Sequence, residues 1–410
     1  MTRITRHGAI VTAWLAVGAL VLSACSETGG GGDDTGGGIN VGQVGAYTGQ
    51  VPALAGQGYG LEAWVKHTNE QGGIEGNKIN LYTGDSKGDP TTEVSQITQI
   101  HSAHDVVAFA GMGTYNLSAA ASFFESNQVP VIGGNTSDPV FEEKPYFYAP
   151  ATSFLATTAF GQGALPAGKT EFGLVYCKES PGCAYVHDVL VSEGIVEAQG
   201  GEVVYTSEAS LSAPSFTAQC LAAKNAGVQV LSVAFDPTNM QRLASDCDKQ
   251  DYRPTYVMGA ALASDEVAKP EHMDGAVAAI GTAPWFLDSE SVATMREAMA
   301  KYHSDKTIDA QVVSGWVAGV VLGQAIENAL TENGGEQITS ADVLTGLGMI
   351  KDETFDGLTP PITFTSSGLQ EPNYCYFGMT VADGKWTAEN GGEPICPTGS
   401  ALKAIEKVSS

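Results

Sequence analysis

Basic residues are scarce in this sequence. Only 20 lysines and arginines stand against 46 aspartates and glutamates, which gives a formal net charge of −26. Nucleic acids and anionic lipid surfaces attract positively charged proteins and repel a chain with this charge. The composition therefore argues against nucleic acid or an anionic lipid surface as a partner, and it favours a well-solvated surface.

Apolar runs long enough to span a membrane are absent beyond the N-terminal region. A spanning helix needs roughly 20 consecutive apolar residues. Residues 315–330 come closest, but this run is short and contains Gln324 and Glu327. We therefore expect no transmembrane helix in the body of the chain.

The sequence also lacks a recognisable metal site or catalytic constellation. No C-x-x-C pair occurs, and the seven histidines are scattered. His101 and His104 lie three residues apart at a predicted helix end, where histidine complements the helix dipole more often than it binds a metal ion. Gly42, Gly45 and Gly49 do not have the spacing of a dinucleotide-binding loop. We expect no enzymatic activity, no metal and no cofactor.

The N-terminal region has the pattern of an export signal. Arg3, Arg6 and His7 precede an apolar run at residues 9–22, which is too short to cross a bilayer. A basic start, a short apolar segment and small residues after it are typical of a secretory signal peptide. The pattern predicts a signal peptide over residues 1–24.

The next residues predict a lipid anchor. Leu22-Ser23-Ala24-Cys25 resembles the bacterial lipobox, which implies cleavage before Cys25 and lipidation of its thiol. Two or three acyl chains anchor a protein stably, whereas one does not. Residues 26–38 contain seven glycines, so we expect residues 25–38 to form a flexible tether between the lipid and the folded body.

Six cysteines remain once Cys25 is set aside. An even number in an exported chain indicates disulfides, although the sequence alone leaves their connectivity open. We favour sequential pairing, in which a turn at residues 180–182 brings the first two cysteines together. The three predicted disulfides are Cys177 with Cys183, Cys220 with Cys247, and Cys375 with Cys396.

Strand-like and helix-like runs alternate along the body, a pattern that predicts an α/β fold with parallel sheets. The body is too long for one ordinary hydrophobic core and fits two lobes. Predicted strands cover residues 39–46, 78–83, 106–111, 129–133, 172–177, 202–206, 228–235, 255–259, 362–365, 374–381 and 385–386. Predicted helices cover residues 58–70, 91–104, 118–126, 292–301 and 312–331, with others beginning near 185, 216 and 240.

An ordered set of motifs resembles the type I periplasmic binding proteins, specifically the group that binds leucine, isoleucine and valine for ABC transporters. No single motif is sufficient, but their order and spacing match the family from about residue 39 to 386. The motifs are Val41-Gly42 with Tyr47-Thr48-Gly49, Gly72-Gly73-Ile74-Glu75-Gly76-Asn77-Lys78-Ile79, Asp89-Pro90, Val129-Pro130-Val131-Ile132, Phe355-Asp356-Gly357-Leu358-Thr359-Pro360, and Asp383-Gly384-Lys385-Trp386.

The resemblance implies two Rossmann-like lobes joined by a three-segment hinge, the Venus-flytrap arrangement. Lobe one would hold residues 39–153 and 284–360, and lobe two residues 154–283 and 361–410. The crossings would fall near residues 149–153, 281–284 and 358–362. Ligands of open α/β sheets bind beyond the carboxyl ends of the strands, so the solute would lie between the lobes.

Candidate ligand-binding residues in lobe one follow two predicted strands. A simple capped loop is an equally good interpretation for the first group, and Asp138-Pro139 is better explained as a helix N-cap with proline in the first turn. The candidates are Thr114, Tyr115 and Asn116 after one strand, and Asn135, Thr136 and Ser137 after the next.

The candidates in lobe two come from the resemblance. It implies Tyr185 as an aromatic wall, Phe235 and Asp236 after a strand, and Ala260 after the next strand, although Asp236-Pro237 also has the pattern of a helix cap. Amino-acid binders of the family have a carboxylate where this sequence has Ala260. An ammonium ion buried without a partner is costly, so the ligand class stays open among amino acids, with the branched-chain type favoured, amides, short carboxylates and aromatic acids.

The sequence therefore predicts an extracytoplasmic, lipid-anchored, monomeric solute-binding protein. Its partners would be a small-molecule ligand, the membrane through the lipid on Cys25, and the permease and ATPase subunits of an ABC importer on other chains. The alternative is a ligand-sensing module of the same fold that reports to a membrane signalling partner.

Overall fold

A computed structural model describes residues 38–49, 54–114, 116–179, 181–366 and 370–408. The predicted signal peptide, Cys25, the tether up to residue 37, and Tyr115 lie outside the described residues. The strands are β1 Ile39–Gly45, β2 Ile79–Asp85, β3 Ala108–Met112, β4 Val131–Gly134, β5 Phe147–Tyr148, β6 Glu171–Cys177, β7 Glu202–Ala209, β8 Val230–Ala234, β9 Thr255–Gly259, β10 Val277–Ile280, β11 Phe377–Ala382 and β12 Lys385–Ala388.

Helices connect most of these strands and also form a late group in the chain. They are α1 Ala55–Glu70, α2 Pro90–His104, α3 Ala121–Asn127, α4 Val140–Glu143, α5 Phe154–Thr157, α6 Pro181–His187, α7 Ile195–Ala198, α8 Thr217–Asn225, α9 Pro237–Asp248, α10 Asp265–Ala268, α11 Glu290–Tyr302, α12 Ala310–Glu332, α13 Ser340–Gly348 and α14 Gly399–Val408. Among the described helices, none combines the length and the apolar character that a membrane crossing requires.

The first sheet has the strand order β2-β1-β3-β4-β5, with all pairs parallel. Alternate residues of one strand face opposite layers of helices. Ala108 and Ala110 belong to a core with α1 and α12, whereas Phe109 packs with α2 and α3. Burial on both faces explains why β3 is apolar throughout rather than alternating with polar residues. We call this sheet, with α1–α4 and α11–α13, lobe one.

The second sheet has the order β12-β11-β10-β9-β8-β6-β7. Strands β6–β10 are parallel and repeat the order of the first sheet, since β6 lies between β7 and β8 as β1 lies between β2 and β3. Strands β11 and β12 extend one edge in antiparallel pairing. We call this sheet, with α5–α10 and α14, lobe two. The chain therefore has the expected α/β fold with two mostly parallel sheets.

The three predicted crossing segments lie next to one another. Thr152 donates its backbone N–H to the Gly281 carbonyl at 3.2 Å, and Ala283 donates to the Leu358 carbonyl at 2.8 Å. The Thr152 side chain also donates to the Cys375 carbonyl. These bonds tie the segments between the lobes into one narrow band, which is what a hinge of several strands requires.

Two sequence predictions differ from the structure at the C-terminal end. Residues 362–365 do not form a strand, because Ile362 makes only an isolated bridge with Glu353. Pro361 precedes it and has no N–H with which to extend a ladder. Strand β11 begins at Phe377 rather than residue 374.

Several short elements escaped prediction. Strand β10 has the sequence Val-Ala-Ala-Ile, whose alanines carry little strand preference. Helix α13 has a signal that could have revealed it, since Thr339 and Asp342 form a complete capping box. Strand β5, with two residues, and helix α14 were also missed.

Three disulfides occur among the described residues, and all belong to lobe two. Their pairing is sequential: Cys177–Cys183, Cys220–Cys247 and Cys375–Cys396. The first joins the end of β6 to α6, and the second joins α8 to α9. The third ties the segment before β11 to the segment after β12.

Candidate ligand-binding site

The polar candidates of lobe one lie at the carboxyl edge of the first sheet. The loops after β3 and β4 are held together, because Asn135 donates its backbone N–H to the Met112 carbonyl at 3.2 Å. The predicted residues after these two strands are therefore brought to one edge, with Tyr115 outside the described part. Their side chains, however, take different roles.

Thr114 faces the interior of lobe one. Its side chain is buried, and its hydroxyl donates to Glu93 Oε1 at 2.7 Å. Asn116 lies nearer the surface and donates through Nδ2 to the Gly88 carbonyl at 3.5 Å. The β3 loop is thus tied to the first turn of α2 and the loop before it.

Glu93 is a fully buried carboxyl group beneath this loop. Burial raises its pKa to about 7, while the bond from Thr114 opposes the shift and the nearby Asp138 adds to it. Its second oxygen, Oε2, has no hydrogen-bond partner among the described residues. Glu93 was not singled out from the sequence, because a glutamate in a first helical turn is ordinarily exposed.

The loop after β4 is stabilised by its own side chains. Asn135 Oδ1 accepts bonds from the Ser137 backbone N–H at 3.4 Å and the Ser137 hydroxyl at 2.9 Å. Asp138 accepts from the Val140 N–H at 3.2 Å and the Ser118 N–H at 2.9 Å. The N-cap position of α4 is Pro139 rather than the predicted Asp138, which instead holds the loop before α4 and joins it to the β3 loop.

The candidates of lobe two divide into a partly buried ring stacked on Phe154, a core residue and a cap. The Tyr185 ring stacks on Phe154, with centroids 5.2 Å apart. Phe235 is buried against Phe216, with centroids 4.9 Å apart, so its ring belongs to the core of lobe two. Asp236 caps α9, because Oδ1 accepts the backbone N–H groups of Thr238 and Asn239.

Ala260 begins a short helical turn, Ala260–Leu262, directly after β9. This turn packs near the start of α12 in lobe one. Nearby Asp265 accepts a bond from Trp285 Nε1 at 3.1 Å. Two carboxylates of lobe two could replace the one missing at Ala260, namely Asp236 and Asp265, and both are thus engaged by groups of the protein.

A cavity of about 240 Å³ lies between the two lobes beside the crossing segments. Among the predicted ligand residues that the structure describes, only Thr136 lines it, and Tyr185 stacks on the lining residue Phe154. The lining residues are Thr136, Phe141, Glu142, Ala149, Ala151, Ser153, Phe154, Pro361, Ile362, Thr363, Phe364, Gln370, Glu371, Pro372, Asn373 and Tyr374.

Glu142 links the two lobes at this cavity. It lies on α4 of lobe one, and its Oε1 accepts the backbone N–H of Phe154 in lobe two at 3.1 Å. Burial raises the pKa of its carboxyl group, against the lowering effect of the backbone N–H groups of Phe154 and Leu155. Glu142 could not be selected from the sequence, because it stands beside Glu143 in an ordinary acidic first turn.

Two stretches match short catalytic motifs, but neither has the structure that the motif requires. Residues 163–170 match G-x-x-x-x-G-K-[ST], yet they follow a helical segment and precede β6, whereas a phosphate-binding loop follows a strand and opens a helix. Residues 84–88 match G-x-S-x-G, yet Ser86 is fully buried and its Oγ accepts the Gly88 N–H at 3.3 Å.

Comparisons with known proteins agree with this architecture. A family model described as periplasmic binding protein matches residues 38–385. No curated protein matches the sequence significantly.

Solved structures with the same fold include three with different named ligands or substrates. A branched-chain amino acid ABC transporter protein from Thermus thermophilus with bound valine has a TM-score of 0.75 at 16% identity, covering 91% of this chain and 98% of that one. A solute-binding protein from R. palustris in complex with benzoate has a TM-score of 0.69 at 16% identity, covering 88% and 98%. A fatty acid ABC transporter substrate-binding protein from Thermomonospora curvata has a TM-score of 0.70 at 18% identity, covering 89% and 94%.

Proposed function

We propose, since this chain belongs to the periplasmic binding protein family, that it captures a small polar solute between its lobes and delivers it to an ABC importer. The observation that carries this proposal is the cavity between the lobes, lined by residues of both and by the crossing segments. The repeated strand order supports it, because the carboxyl ends of such sheets are where ligands bind.

The solved structures of similar fold restrict the class of ligand only loosely. Their titles name valine, benzoate and fatty acid, so this architecture accommodates small organic molecules of quite different head groups. Specificity must therefore come from the side chains of each cleft. For this protein we propose that Thr136 and Tyr185 contact the solute, with Asn116, Asn135, Ser137 and Ala260 at the edges of the cleft.

Closure of the lobes would couple binding to transport. Movement about the crossings near residues 149–153, 281–284 and 358–362, which we propose as the lobe boundaries, opens or closes the cleft. The bond from the Phe154 N–H to Glu142 Oε1 joins the lobes beside the first of these crossings. A solute that contacts both lobes stabilises the closed state through its differential contacts, and the importer then recognises that state.

The location of the protein follows from its N-terminal sequence. We propose export through the signal peptide at residues 1–24, lipidation of Cys25, and tethering of a monomeric binding protein outside the cytoplasmic membrane. The disulfides of lobe two support an oxidising compartment. The permease and the ATPase would be separate chains.

Thermal unfolding in the presence of candidate solutes tests the function. The chain from Gly36 onward, which forms one compact unit, would be screened against amino acids, amides and aromatic acids. A solute at one hundred times its dissociation constant should raise the free energy of unfolding by about 2.7 kcal/mol. Absence of stabilisation by every member of a broad panel of small solutes would contradict the proposed function.

A further inference from the structure

The charges around the interlobe cavity are all of one sign. Among the described residues that line it, Glu142 and Glu371 are acidic and none is lysine, arginine or histidine. Of two lysines outside the lining, Lys144 pairs with Glu125 at 3.7 Å, and Lys351 is held by the backbone carbonyl of Phe364, a residue that lines the cavity. An anionic solute would find no counter-ion here.

Glu142 is the carboxylate best placed to face a solute. Unlike the exposed Glu371, it is partly buried where the lobes meet. It belongs to none of the ion pairs among the described residues, and its recorded partners are backbone N–H groups of the neighbouring lobe. A carboxylate withdrawn from water without a cation is costly. A positively charged solute would offset that cost.

Aromatic residues contribute to the lining of the same space. Phe141, Phe154 and Tyr374 line the cavity, and Tyr185 stacks on Phe154. The negative faces of such rings attract ammonium groups in sites from which water is excluded. A partly buried carboxylate with aromatic neighbours is therefore a suitable environment for a protonated amine and a poor one for a carboxylate ligand.

We propose that the solute carries a protonated amino group in this cavity and that Glu142 is its counter-ion. The inference rests on the proposed function and names its ligand class. It also replaces the carboxylate that is missing beside Ala260 of lobe two with one from lobe one. Because Glu142 also bonds to lobe two, the ammonium group would strengthen the junction that holds the cleft closed.

Three probes of one carbon skeleton separate the possible ligand classes. Isoamylamine is a cation, isovaleramide is neutral and isovalerate is an anion, and calorimetry would give their affinities for the chain from Gly36 onward. We expect isoamylamine to bind at least about tenfold more tightly than isovalerate. Equal or tighter binding of isovalerate would overturn the inference and leave the solute-binding function intact.

Glu142→Gln is the matching variant, because its amide oxygen can still accept the Phe154 N–H. We expect it to weaken isoamylamine binding at least about tenfold and to abolish the preference over isovaleramide. Glu202→Gln, the control at an exposed position of β7 that does not line the cavity, should change the affinity less than about twofold. If Glu142→Gln binds isoamylamine with an affinity within twofold of that of the unmodified protein, Glu142 only joins the lobes and is not the counter-ion.

The pH dependence of the unmodified protein provides a test that needs no variant. Burial raises the pKa of Glu142, so its carboxyl group becomes protonated as the pH falls toward that raised pKa. The neutral carboxyl group no longer attracts the ammonium group of the solute. The Tyr185 hydroxyl interacts electrostatically with Glu142, Glu143 and Tyr374, and Glu371 and Tyr374 line the same cavity. The affinity for isoamylamine should therefore decrease as the pH is lowered. An affinity that stays constant down to pH 4.5 would contradict the inference.

If none of the three probes binds but another solute does, that solute takes their place in the same comparison. A solute without positive charge would overturn the inference alone. A positively charged solute that is insensitive to Glu142→Gln would also overturn it. If no solute binds at all, both the inference and the proposed function fail.

Discussion

The two lobes share a parallel strand order but are stabilised in different ways. Lobe one has no disulfide among its described residues and is packed around the helix pair α1 and α12. Lobe two contains all three disulfides of the described residues and adds the antiparallel strands β11 and β12. One topology can therefore be stabilised by close helix packing or by covalent cross-links.

Glycines make the close helix packing of lobe one possible. A Cβ at Gly60 would overlap the Val312 carbonyl oxygen, and a Cβ at Gly315 would overlap the Gln57 carbonyl oxygen. The backbones of α1 and α12 touch at these points with no side chain between them. Neither contact can be relieved by rotating a side chain, so the packing of lobe one depends on these positions.

The largest effect should follow from Gly315→Ala. The added methyl group would push α1 away from α12, and we expect a loss of about 4 kcal/mol, above the usual range for overpacking. Chemical denaturation measures it. The control is Ser314→Ala, which only removes a bond to the Ala310 carbonyl on the same helix and should cost less than about 1 kcal/mol. Similar losses in the two variants would show that the helices can separate easily.

Removing the Cys220–Cys247 disulfide tests the covalent strategy of lobe two. The cross-link joins α8 to α9 across a sequence separation of 27 residues. Replacing both cysteines with alanine should cost about 3 kcal/mol through the entropy regained by the unfolded chain. Hydrogen exchange should show the loss in β6–β10 and not in β1–β5. Uniform loss across both lobes would mean that they unfold as one unit.

The buried acids of the two lobes also differ in the direction of their pKa shifts. Their contributions to stability therefore depend on pH in opposite ways. In lobe one, burial raises the pKa of Glu93 to about 7. In lobe two, burial by itself would raise the pKa of Asp246, but hydrogen bonds from Phe216, Ser215 and Lys249 lower it below its usual value. Glu93 therefore holds a proton in the folded state that the unfolded chain has already released between pH 4.5 and 7.

The stability contributed by protonated Glu93 should thus be lost as the pH rises through that window, by about 2 to 3 kcal/mol. Glu93→Gln, which stays neutral, should remove this loss and unfold at a higher denaturant concentration than the unmodified protein at pH 8. Asp246→Asn is the control with the opposite sign, because the contribution of Asp246 is present at neutral pH and lost in acid. Parallel pH profiles for the unmodified protein and Glu93→Gln would contradict the assignment.

Sequence patterns were sufficient for the repeating core of the fold. Strand β3 is a continuous apolar run and β8 is interrupted only by the buried Ser232, and such runs between helical segments specify a buried parallel sheet. Short or alanine-rich elements such as β10 could not be recognised, because their pairing depends on neighbours distant in sequence. Residues 362–365 show the reverse error, in which a strand-like pattern lies at a crossing segment where only one bridge forms.

The site was harder to predict than the fold. Loops after strands could be identified from the sequence, but the direction of each side chain could not. Thr114 and Phe235 point into the cores of their lobes, while Glu142 reaches the cavity from a four-residue helix with no distinctive pattern. Such roles arise from tertiary contacts within and between the lobes, and no local sequence pattern encodes them.

The variant with the smallest expected effect on stability tests which lobe supplies the counter-ion. Asp236 of lobe two is the rival to Glu142 of lobe one, but its carboxylate already caps α9 and accepts the Asn239 side chain. Asparagine caps a helix about as well as aspartate, so Asp236→Asn should change the free energy of unfolding by less than about 0.5 kcal/mol while removing the charge.

Because the cap would persist, any change in amine affinity in Asp236→Asn would report the charge alone. Calorimetry with isoamylamine should give an affinity within about twofold of the unmodified protein, since a carboxylate occupied by its own helix has little left to offer a cation. A loss as large as that expected for Glu142→Gln would move the counter-ion to lobe two. Lobe two, rather than the interlobe cavity, would then select the charge of the solute.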